Sequence, residues 1–375
     1  MSSPKFVVRN VQAFVYRYPL STPVVTSFGR MLDRPAVFVR IEDGDGHVGW
    51  GEVWANFPAP GAEHRGRIVN DILAPMIEGA AVESPQDVFE QLTQRTAVLA
   101  LQCGEPGPFA QAISGIDIAL WDLHGKRRGL PLWRMLGGEQ PTIRVYASGI
   151  NPTGSKAMAE AALARGHRAL KLKIGFDVPT DRANLDALRG LVGSGFLAVD
   201  ANQAWSLEQA LAQMPMLEDF NLGWLEEPIR ADCPWPQWQA LRKATRVPLA
   251  AGENLAGHPA FAQVIENDVL TFVQPDVAKW GGVTGCVEVA RKVRTAGKTY
   301  CPHYLGGGIG LLASAHLLAG VGGDGLLEID ANNNPLRDNL CGPVAQVIAG
   351  TVTLTELPGL GIAPDMAAIE SYRTS

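Results

Sequence analysis

The feature of this sequence that most constrains its fold is a repeat in the second half of the chain. From about residue 143 onward, short apolar runs alternate with helical stretches. Such runs, each followed by a helix, are typical of parallel strands joined by helical crossovers. Eight runs are present, at 143–147, 169–173, 196–200, 223–226, 248–251, 270–274, 299–303 and 326–328. Eight units of this kind favour a closed α/β barrel over a doubly wound open sheet, which is the alternative.

The N-terminal part of the chain follows a different pattern. Residues 6–18 are rich in β-branched and aromatic side chains and predict a strand, and segments 36–41 and 48–53 flank an Asp/Gly turn and predict a hairpin. Residues 109–128 carry apolar side chains on one helical stripe. The predicted organisation is an N-terminal α+β domain (1–130), a barrel (131–340) and a C-terminal segment (341–375) that packs back on the first domain.

Composition and charge exclude several classes of partner. With 46% hydrophobic residues, the 375-residue chain can bury a large core. It carries 32 Lys and Arg against 38 Asp and Glu, with no basic arm, so we expect no nucleic-acid partner. The most apolar helical stretch, 309–321, is too short to span a bilayer, so we expect no membrane partner. Five widely spaced cysteines without a Cys-x-x-Cys argue against disulfides and zinc and favour a cytoplasmic enzyme.

Polar side chains end the eight apolar runs at a nearly constant spacing, with successive members 23 to 27 positions apart. In a parallel barrel the C-terminal ends of all strands meet on one face, which is where barrel active sites lie. We therefore expect one ring of polar side chains on that face. This strand-end ring consists of Ser148, Lys173, Asp200, Glu226, Glu253, Asp276, His303 and Glu328.

Three consecutive strands of this ring end in a carboxylate. Asp200, Glu226 and Glu253 would repel one another unless a cation lay among them or their pKa values rose. Oxygen-only ligands favour a hard ion, with Mg²⁺ the first candidate and Mn²⁺ the second. The alternative, unrelated surface carboxylates, is disfavoured because three neighbouring strands agree. Glu227 is expected on the opposite side of its strand from Glu226, so it is not predicted as a ligand.

Two further pairs could move protons. Lys171 and Lys173 alternate with leucines, so both ammonium groups share one strand face. Because each positive charge disfavours the other, one of the two lysines loses its proton more readily. Asp276 and His303 end the sixth and seventh strands, within reach of a hydrogen bond that would fix the imidazole tautomer. The glycine-rich loop at 306–310 is a weak signal. It could hold a distal anion, or it could let the chain turn close to the site.

Seven stretches make the chain resemble the enolase superfamily, and within it the mandelate racemase branch. They are LKLKIG at 170–175, VDANQ at 199–203, WLEEP at 224–228, GEN at 252–254, QPD at 274–276, KWGGVTG at 279–285 and LEID at 327–330. The resemblance covers nearly the whole chain. It implies a (β/α)7β modified TIM barrel of the α/β class with an N-terminal α+β capping domain. Members of this superfamily use a Lys or His base with Mg²⁺, which stabilises an enediolate.

The resemblance also implies roles for the candidate residues. The implied metal ligands are Asp200, Glu226 and Glu253. The implied acid and base groups are Lys173 on one face of the substrate, assisted by Lys171 at the substrate carboxylate, and His303 on the other face, oriented by Asp276. Glu328 resembles a hydrogen-bond partner of the enediolate oxygen. Further candidate substrate contacts are Asn202, Ser148 and, in the cap loops, Arg30 and Trp54. No catalytic role is assigned to Lys279, and the lactonising branch is disfavoured because it usually carries Lys where Asp276 stands.

These roles imply removal of the proton α to a carboxylate of a small-molecule substrate. If the β-carbon carries a hydroxyl group, His303 could expel it as water, so the leading prediction is an acid-sugar (aldonate or aldarate) dehydratase. The alternative is a 2-hydroxy-acid racemase or epimerase, because Lys173 and His303 would face each other across the substrate. A non-catalytic barrel and a phosphosugar enzyme that uses the 306–310 loop are weaker alternatives. The resemblance further implies a homo-oligomer, with octamers frequent among such enzymes.

Overall fold

The computed structural model describes residues 5–26 and 29–375. Its N-terminal part is an antiparallel four-stranded sheet in the order β3-β2-β1-β4. Strands β1 and β2 are longer than the sequence predicts, because the β1–β2 hairpin stays paired from Val8 and Asp43 out to Thr26 and Gly29. The bounds are β1 Phe6–Thr26, β2 Gly29–Asp43, β3 Val48–Val53 and β4 Ala81–Val82.

Helices cover one face of this sheet. The Ser84 side chain accepts a hydrogen bond from the Asp87 N–H group, and Pro85 occupies the first helical turn. Helix α4 lies directly against β3, where a Cβ at Gly51 would overlap the carbonyl oxygen of Gly115. The helices are α1 Gly61–Arg67 with a π-helical turn Ile68–Leu73, α2 Ala74–Ile77, α3 Pro85–Gln102, α4 Pro106–Arg128 and α5 Leu132–Met135.

The remaining strands form a curled parallel sheet in the order β11-β10-β9-β8-β7-β6-β5-β12. Its two outer strands approach each other where the Leu326 N–H group donates to Cys301 Sγ at 3.3 Å. This arrangement confirms the predicted barrel with an N-terminal α+β domain. The strands are β5 Thr142–Ile150, β6 Ala169–Lys173, β7 Phe196–Asp200, β8 Leu225–Glu226, β9 Leu249–Ala251, β10 Phe272–Val273, β11 Thr299–Tyr300 and β12 Leu326–Asp330.

A helix follows each of the first seven barrel strands and packs on the outside of the sheet. Within the described ranges, no helix is both long and apolar enough to cross a membrane. The helices are α6 Ser155–Ala164, α7 Val178–Val192, α8 Leu207–Glu218, α9 Trp235–Ala244, α10 His258–Asn267, α11 Gly282–Thr295 and α12 Gly308–Val321, and a short α13 Pro335–Asp338 follows the eighth strand.

The C-terminal residues contact both parts of the molecule. Strand β13 (Thr351–Thr353) pairs antiparallel with β5, and two 3₁₀ helices occupy Gly342–Ala345 and Met366–Tyr372. The chain then ends against the cap, where the Val15 N–H group donates to the Ser375 carbonyl at 2.8 Å. Residues beyond 341 therefore join the barrel to the N-terminal sheet.

The barrel interior below the strand-end ring is closed by aromatic rings. The indole of Trp224 is fully buried and lies edge-on to Tyr146, with ring centroids 5.2 Å apart. Trp224 Nε1 also donates to Glu226 Oε2 at 3.0 Å. The apolar floor therefore orients one of the ring carboxylates, which connects the packing of the barrel to the geometry of the site above it.

Candidate active site

A cavity of about 220 Å³ opens where the C-terminal ends of the barrel strands meet the cap. The cap supplies its outer wall, and the strand-end ring supplies its inner wall, as the parallel-barrel rule predicts. The lining residues are Trp54, Asn56, Phe57, Ser148, Gly149, Lys173, Asp200, Asn202, Gln203, Glu253, Asn254, Lys279, His303, Leu305 and Glu328. Three further predicted site residues do not line the cavity themselves. Lys171 lies 3.8 Å from the lining residue Asp200, Asp276 lies 2.7 Å from the lining residue His303, and Glu226 contacts Lys171.

The ammonium group of Lys171 lies at the centre of the ring. It donates to Glu226 Oε1 at 2.6 Å, and it lies 2.9 Å from Glu328 Oε1 and 3.8 Å from Asp200 Oδ2. Burial alone would lower the pKa of Lys171, but Glu226 and Glu328 raise it well above its ordinary value. Lys171 therefore stays charged and serves as a fixed cation among the carboxylates.

Lys173 points from the same face of β6 as Lys171, because alternate residues of a strand share a face. Its Nζ donates to Asn202 Oδ1 at 2.6 Å. Asn202 in turn holds Asp200, with its Nδ2 donating to Asp200 Oδ2 at 2.9 Å and its backbone N–H group to Oδ1 at 2.8 Å. The predicted base and one predicted metal ligand thus share a single asparagine.

Each of the three predicted metal ligands is oriented by neighbours. Burial, together with Asp200, raises the pKa of Glu226 to about 7, although Lys171 opposes the shift. Gln274 Nε2 donates to the second oxygen of Glu226 at 2.8 Å. Burial would also raise the pKa of Glu253, but the charges of His303 and Lys279 lower it below its ordinary range. Carboxylates buried in this way gain from a nearby cation.

The residues of the whole site fit a divalent ion. Its carboxyl groups outnumber its cationic side chains by two, and burial raises the pKa of Glu227 well above its ordinary value, so a bound cation would favour the ionised carboxylates. The carboxyl groups are Asp200, Glu226, Glu227, Glu253, Asp276 and Glu328, and the cationic side chains are Lys171, Lys173, Lys279 and His303. The carboxylates that end β7 and β8 and the one that follows β9 supply only oxygen ligands, which suit Mg²⁺. The residues present therefore fit the ion that the sequence predicts.

A second acidic group lies outside the cavity and is a weaker metal candidate. Within residues 5–26 and 29–375, one group of three metal-ligating side chains has all its ligand atoms within 4.8 Å of one another. It lies at the turn after β2 and consists of Asp43, Asp45 and His47. Arg127 Nη1 lies 2.5 Å from Asp43 Oδ2 and 2.7 Å from Asp45 Oδ2. Because a guanidinium already neutralises this pair, the turn has little need of a metal ion.

His303 and Asp276 form the hydrogen bond that their strand positions predict. His303 Nδ1 lies 2.7 Å from Asp276 Oδ2, and the other ring nitrogen lies 3.3 Å from Glu253 Oε2. Burial would lower the pKa of His303, but Glu253, Glu328 and Asp276 raise it to about 10. The imidazole is therefore held by Asp276 and carries a proton toward the cavity.

Glu328, within β12, and Ser148, within β5, complete the ring. Ser148 Oγ donates to Glu328, and the Tyr304 N–H group donates to the other Glu328 oxygen at 3.0 Å. Burial would raise the pKa of Glu328, but Lys171 and His303 lower it. Both residues line the cavity, within reach of a substrate.

Three positions differ from the sequence analysis. Lys279, given no role there, lines the cavity with Nζ 3.1 Å from Glu253 Oε2 and 4.8 Å from the Trp54 ring centroid. Glu227 is not on an outer face. Strand β8 ends before Glu227, and the φ of 37° at Glu227 turns its buried carboxylate toward Asn254. Asn254 Nδ2 donates to Glu227 Oε2 at 2.8 Å. Arg30 is exposed on β2 and does not line the cavity. Positions 27–28, close to it in the sequence, lie outside the described residues.

The glycine-rich loop at 306–310 already has an anion from the protein itself. Glu52 of the cap accepts hydrogen bonds from the N–H groups of Gly307 and Gly310. The loop therefore does not present these two groups to a ligand, which removes the support for a phosphosugar enzyme. No local sequence signal pairs Glu52 with this loop, because 255 positions separate Glu52 from Gly307.

Comparisons with known proteins identify the family. Residues 9–137 match the model of the mandelate racemase / muconate lactonizing enzyme N-terminal domain, and residues 155–368 match the enolase C-terminal domain-like model. The 3,6-anhydro-alpha-L-galactonate cycloisomerase of Streptomyces coelicolor is 32% identical over 366 residues, which cover 96% of this chain and 97% of that protein. Other relatives include an arabinonate dehydratase of Saccharolobus solfataricus and an N-succinyl-L-Arg/Lys racemase of Bacillus cereus, 28% and 26% identical.

Solved structures give the same result. A mandelate racemase/muconate lactonizing enzyme from Bordetella bronchiseptica has a TM-score of 0.93 and 50% identity, and the match covers 98% of this chain and 100% of that one. A racemase from Streptomyces coelicolor with bound magnesium has a TM-score of 0.87 and 29% identity, with 98% and 100% covered. The relatives include dehydratases, cycloisomerases and racemases, and this chain belongs to the mandelate racemase/muconate lactonizing enzyme family of the enolase superfamily.

Proposed function

We propose that this protein is an acid-sugar dehydratase that removes the proton α to the substrate carboxylate and expels the β-hydroxyl group. The observation that carries the proposal is the His303–Asp276 pair, which faces a cavity that Lys173 also lines. Four strands separate β6, which bears Lys173, from β11 along the sheet, so the two groups reach the cavity from different sides. A base on one side and an acid on the other suit an elimination.

The metal ligands in this proposal are Asp200, Glu226 and Glu253. When bound, Mg²⁺ supplies a positive charge that makes the α-proton of a carboxylate substrate more acidic. The structural relative solved with bound magnesium supports this choice of ion. Lys171 lies beside Glu226 and Glu328, where its fixed charge would stabilise the negative charge that develops on the substrate.

The residues then divide the bond changes between them. Lys173 accepts the α-proton as the C–H bond breaks. His303, held at Nδ1 by Asp276, donates its Nε2 proton to the β-oxygen as that C–O bond breaks. Water leaves, and the resulting enol loses its O–H proton and gains a proton at the β-carbon to give a 2-keto-3-deoxy acid. Where the β-oxygen belongs to a ring, the same cleavage would open the ring without loss of water, which accords with a cycloisomerase relative.

The second candidate is a 2-hydroxy-acid racemase or epimerase. The same opposed pair, Lys173 and His303, favours it, because each could exchange a proton with one face of the α-carbon. A substrate without a leaving group at the β-carbon would permit only that exchange. The two reactions share every residue, so the products must be used to distinguish them.

The test is incubation with Mg²⁺ in D₂O against a set of aldonates, aldarates and 2-hydroxy acids. Keto-acid formation from an acid sugar, abolished by Lys173→Ala and His303→Asn, is the expected result. Deuterium at the α-carbon without keto acid would replace the dehydratase with the racemase or epimerase. Keto-acid formation that survives both substitutions would refute the assignment of these two residues.

A further inference from the structure

A buried glutamate of the cap reaches across to the segment that follows the seventh barrel strand. Glu52, on β3, is 2% exposed. Its Oε1 accepts from the Gly307 N–H group at 2.5 Å, and its Oε2 accepts from the Gly310 N–H group at 2.8 Å. These groups belong to the first turn of α12, so one domain caps a helix of the other. A carboxylate at this position satisfies unpaired N–H groups and interacts favourably with the helix dipole.

A second cap residue contacts the same segment. Asn56 Nδ2 donates to the Leu305 carbonyl at 2.6 Å, and Asn56 is 5% exposed. From the barrel side, the Tyr304 N–H group donates to Glu328 Oε2 at 3.0 Å. Residues 303–310 are named here the base segment, because they begin with the basic side chain of His303. The cap therefore holds this segment at 305, 307 and 310, and the barrel holds it at 304.

The composition of the base segment explains why it needs such restraints. Four of its eight residues are glycines, which have the largest conformational freedom in an unrestrained chain. Strand β11 ends at Tyr300, before His303, so the sheet does not fix the imidazole directly. A Cβ at Gly307 would overlap Glu52 and Phe38, so this glycine is required by the close approach of the cap.

We propose that Glu52 is a positioning residue for His303, which it serves by holding the base segment from the cap. Glu52 does not line the cavity, so it would act only through the segment. The catalytic part of this inference rests on the proposed function, in which His303 moves a proton. The physical reason is that a displacement of a catalytic group by about 1 Å can lower the rate of the catalysed reaction by about a hundredfold.

The test compares two variants that each remove one buried carboxylate of the cap. Glu52→Gln keeps the volume but turns an NH₂ group toward one of the two N–H donors. Asp122→Asn is the matched control, because Asp122 is also buried and accepts from two backbone N–H groups, those of Trp50 at 2.8 Å and Leu360 at 2.7 Å. Neither of these two hydrogen bonds of Asp122 involves the base segment.

The first readout is hydrogen exchange of peptides that cover the base segment, which needs no substrate. We expect Glu52→Gln to speed exchange at Gly307 and Gly310 by about tenfold or more. Asp122→Asn should leave that segment as in the unaltered protein and change the peptides around 50 and 360 instead. Unchanged protection in Glu52→Gln, or equal loss in both variants, would overturn the proposal.

The second readout uses the substrate found in the D₂O experiment. We expect Glu52→Gln to lower kcat by about 10- to 100-fold with KM changed by less than about threefold, while Asp122→Asn stays near the unaltered rate. Faster exchange in the base segment with an unchanged kcat would overturn the positioning role. If the unaltered protein turns over no substrate, the proposed function fails, and hydrogen exchange still decides whether Glu52 holds the segment.

Discussion

Replacing Asp276 by asparagine tests the candidate acid–base pair most directly. Asp276 Oδ2 faces His303 Nδ1 at 2.7 Å, while its Oδ1 accepts from the backbone N–H groups of Ala278 at 2.8 Å and Lys279 at 3.1 Å. An asparagine at this position must keep its oxygen on the two N–H groups, because an NH₂ group there would face two donors. Its NH₂ group would then face His303.

That orientation determines the tautomer of His303. Nδ1 would have to accept a hydrogen bond from the asparagine, so the single proton of the neutral imidazole would lie on Nε2. In that tautomer the neutral ring would become an anion if it gave up its Nε2 proton, so it is a poor acid. The imidazolium form, which donates to the β-oxygen in the proposed function, would place two donors against each other. The same change of tautomer in a Ser-His-Asp triad lowers kcat by about 10⁴, or roughly 5 kcal/mol. We expect a loss of about 10³- to 10⁴-fold for Asp276→Asn.

The assay is the initial rate of keto-acid formation, with α-proton exchange in D₂O measured in parallel. Asp122→Asn again serves as the buried-carboxylate control and should retain most of its activity. Because Asp276 acts only through His303, the double variant Asp276→Asn/His303→Asn should be no slower than the slower single variant. A rate within tenfold of the unaltered protein for Asp276→Asn, or additive losses in the double variant, would refute the tautomer argument.

Three further predictions concern the metal, the packing and the pH dependence of stability. Glu253→Gln should weaken Mg²⁺ binding by at least about tenfold in calorimetric titration, and an unchanged affinity would remove Glu253 from the ligand set. Gly51→Ala should destabilise the fold by about 1–3 kcal/mol in urea unfolding, because its Cβ overlaps α4, whereas Gly190→Ala, in open space on α7, should be neutral or slightly stabilising. Burial lowers the pKa of His316 to about 4, so protonation favours the unfolded chain and stability falls as the pH drops from 6.5 toward 4. The loss from this group between pH 7.5 and 5.5 is about 1.4 kcal/mol, and His316→Gln should show a correspondingly flatter profile in urea unfolding.

The strand-end ring could be predicted from the sequence because it follows from local periodicity and one topological rule. Each apolar run ends in a polar residue, and parallel strands place all such ends on one face. The prediction fails where regular strand geometry stops. Strand β8 contains only Leu225 and Glu226, so alternation does not extend to Glu227, whose left-handed backbone brings its carboxylate back to the ring. Lys279 lies in a turn, where no period specifies the direction of a side chain.

The contacts between the cap and the barrel could not be predicted, and they are the ones that shape the cavity. Glu52 and Gly307 are 255 positions apart, and Arg34 and Asp330, which form a buried ion pair, are 296 positions apart. Local patterns identify which residues face inward on each element, but tertiary packing decides which of them meet. In the proposed function the ring carries the bond changes, so the choice of substrate would depend on what the cap adds to it. In this chain the cap adds Trp54, Asn56 and Phe57 as lining and Glu52 as support for the base segment, so substitutions in the cap should change which acid is used more readily than they change which bond is broken.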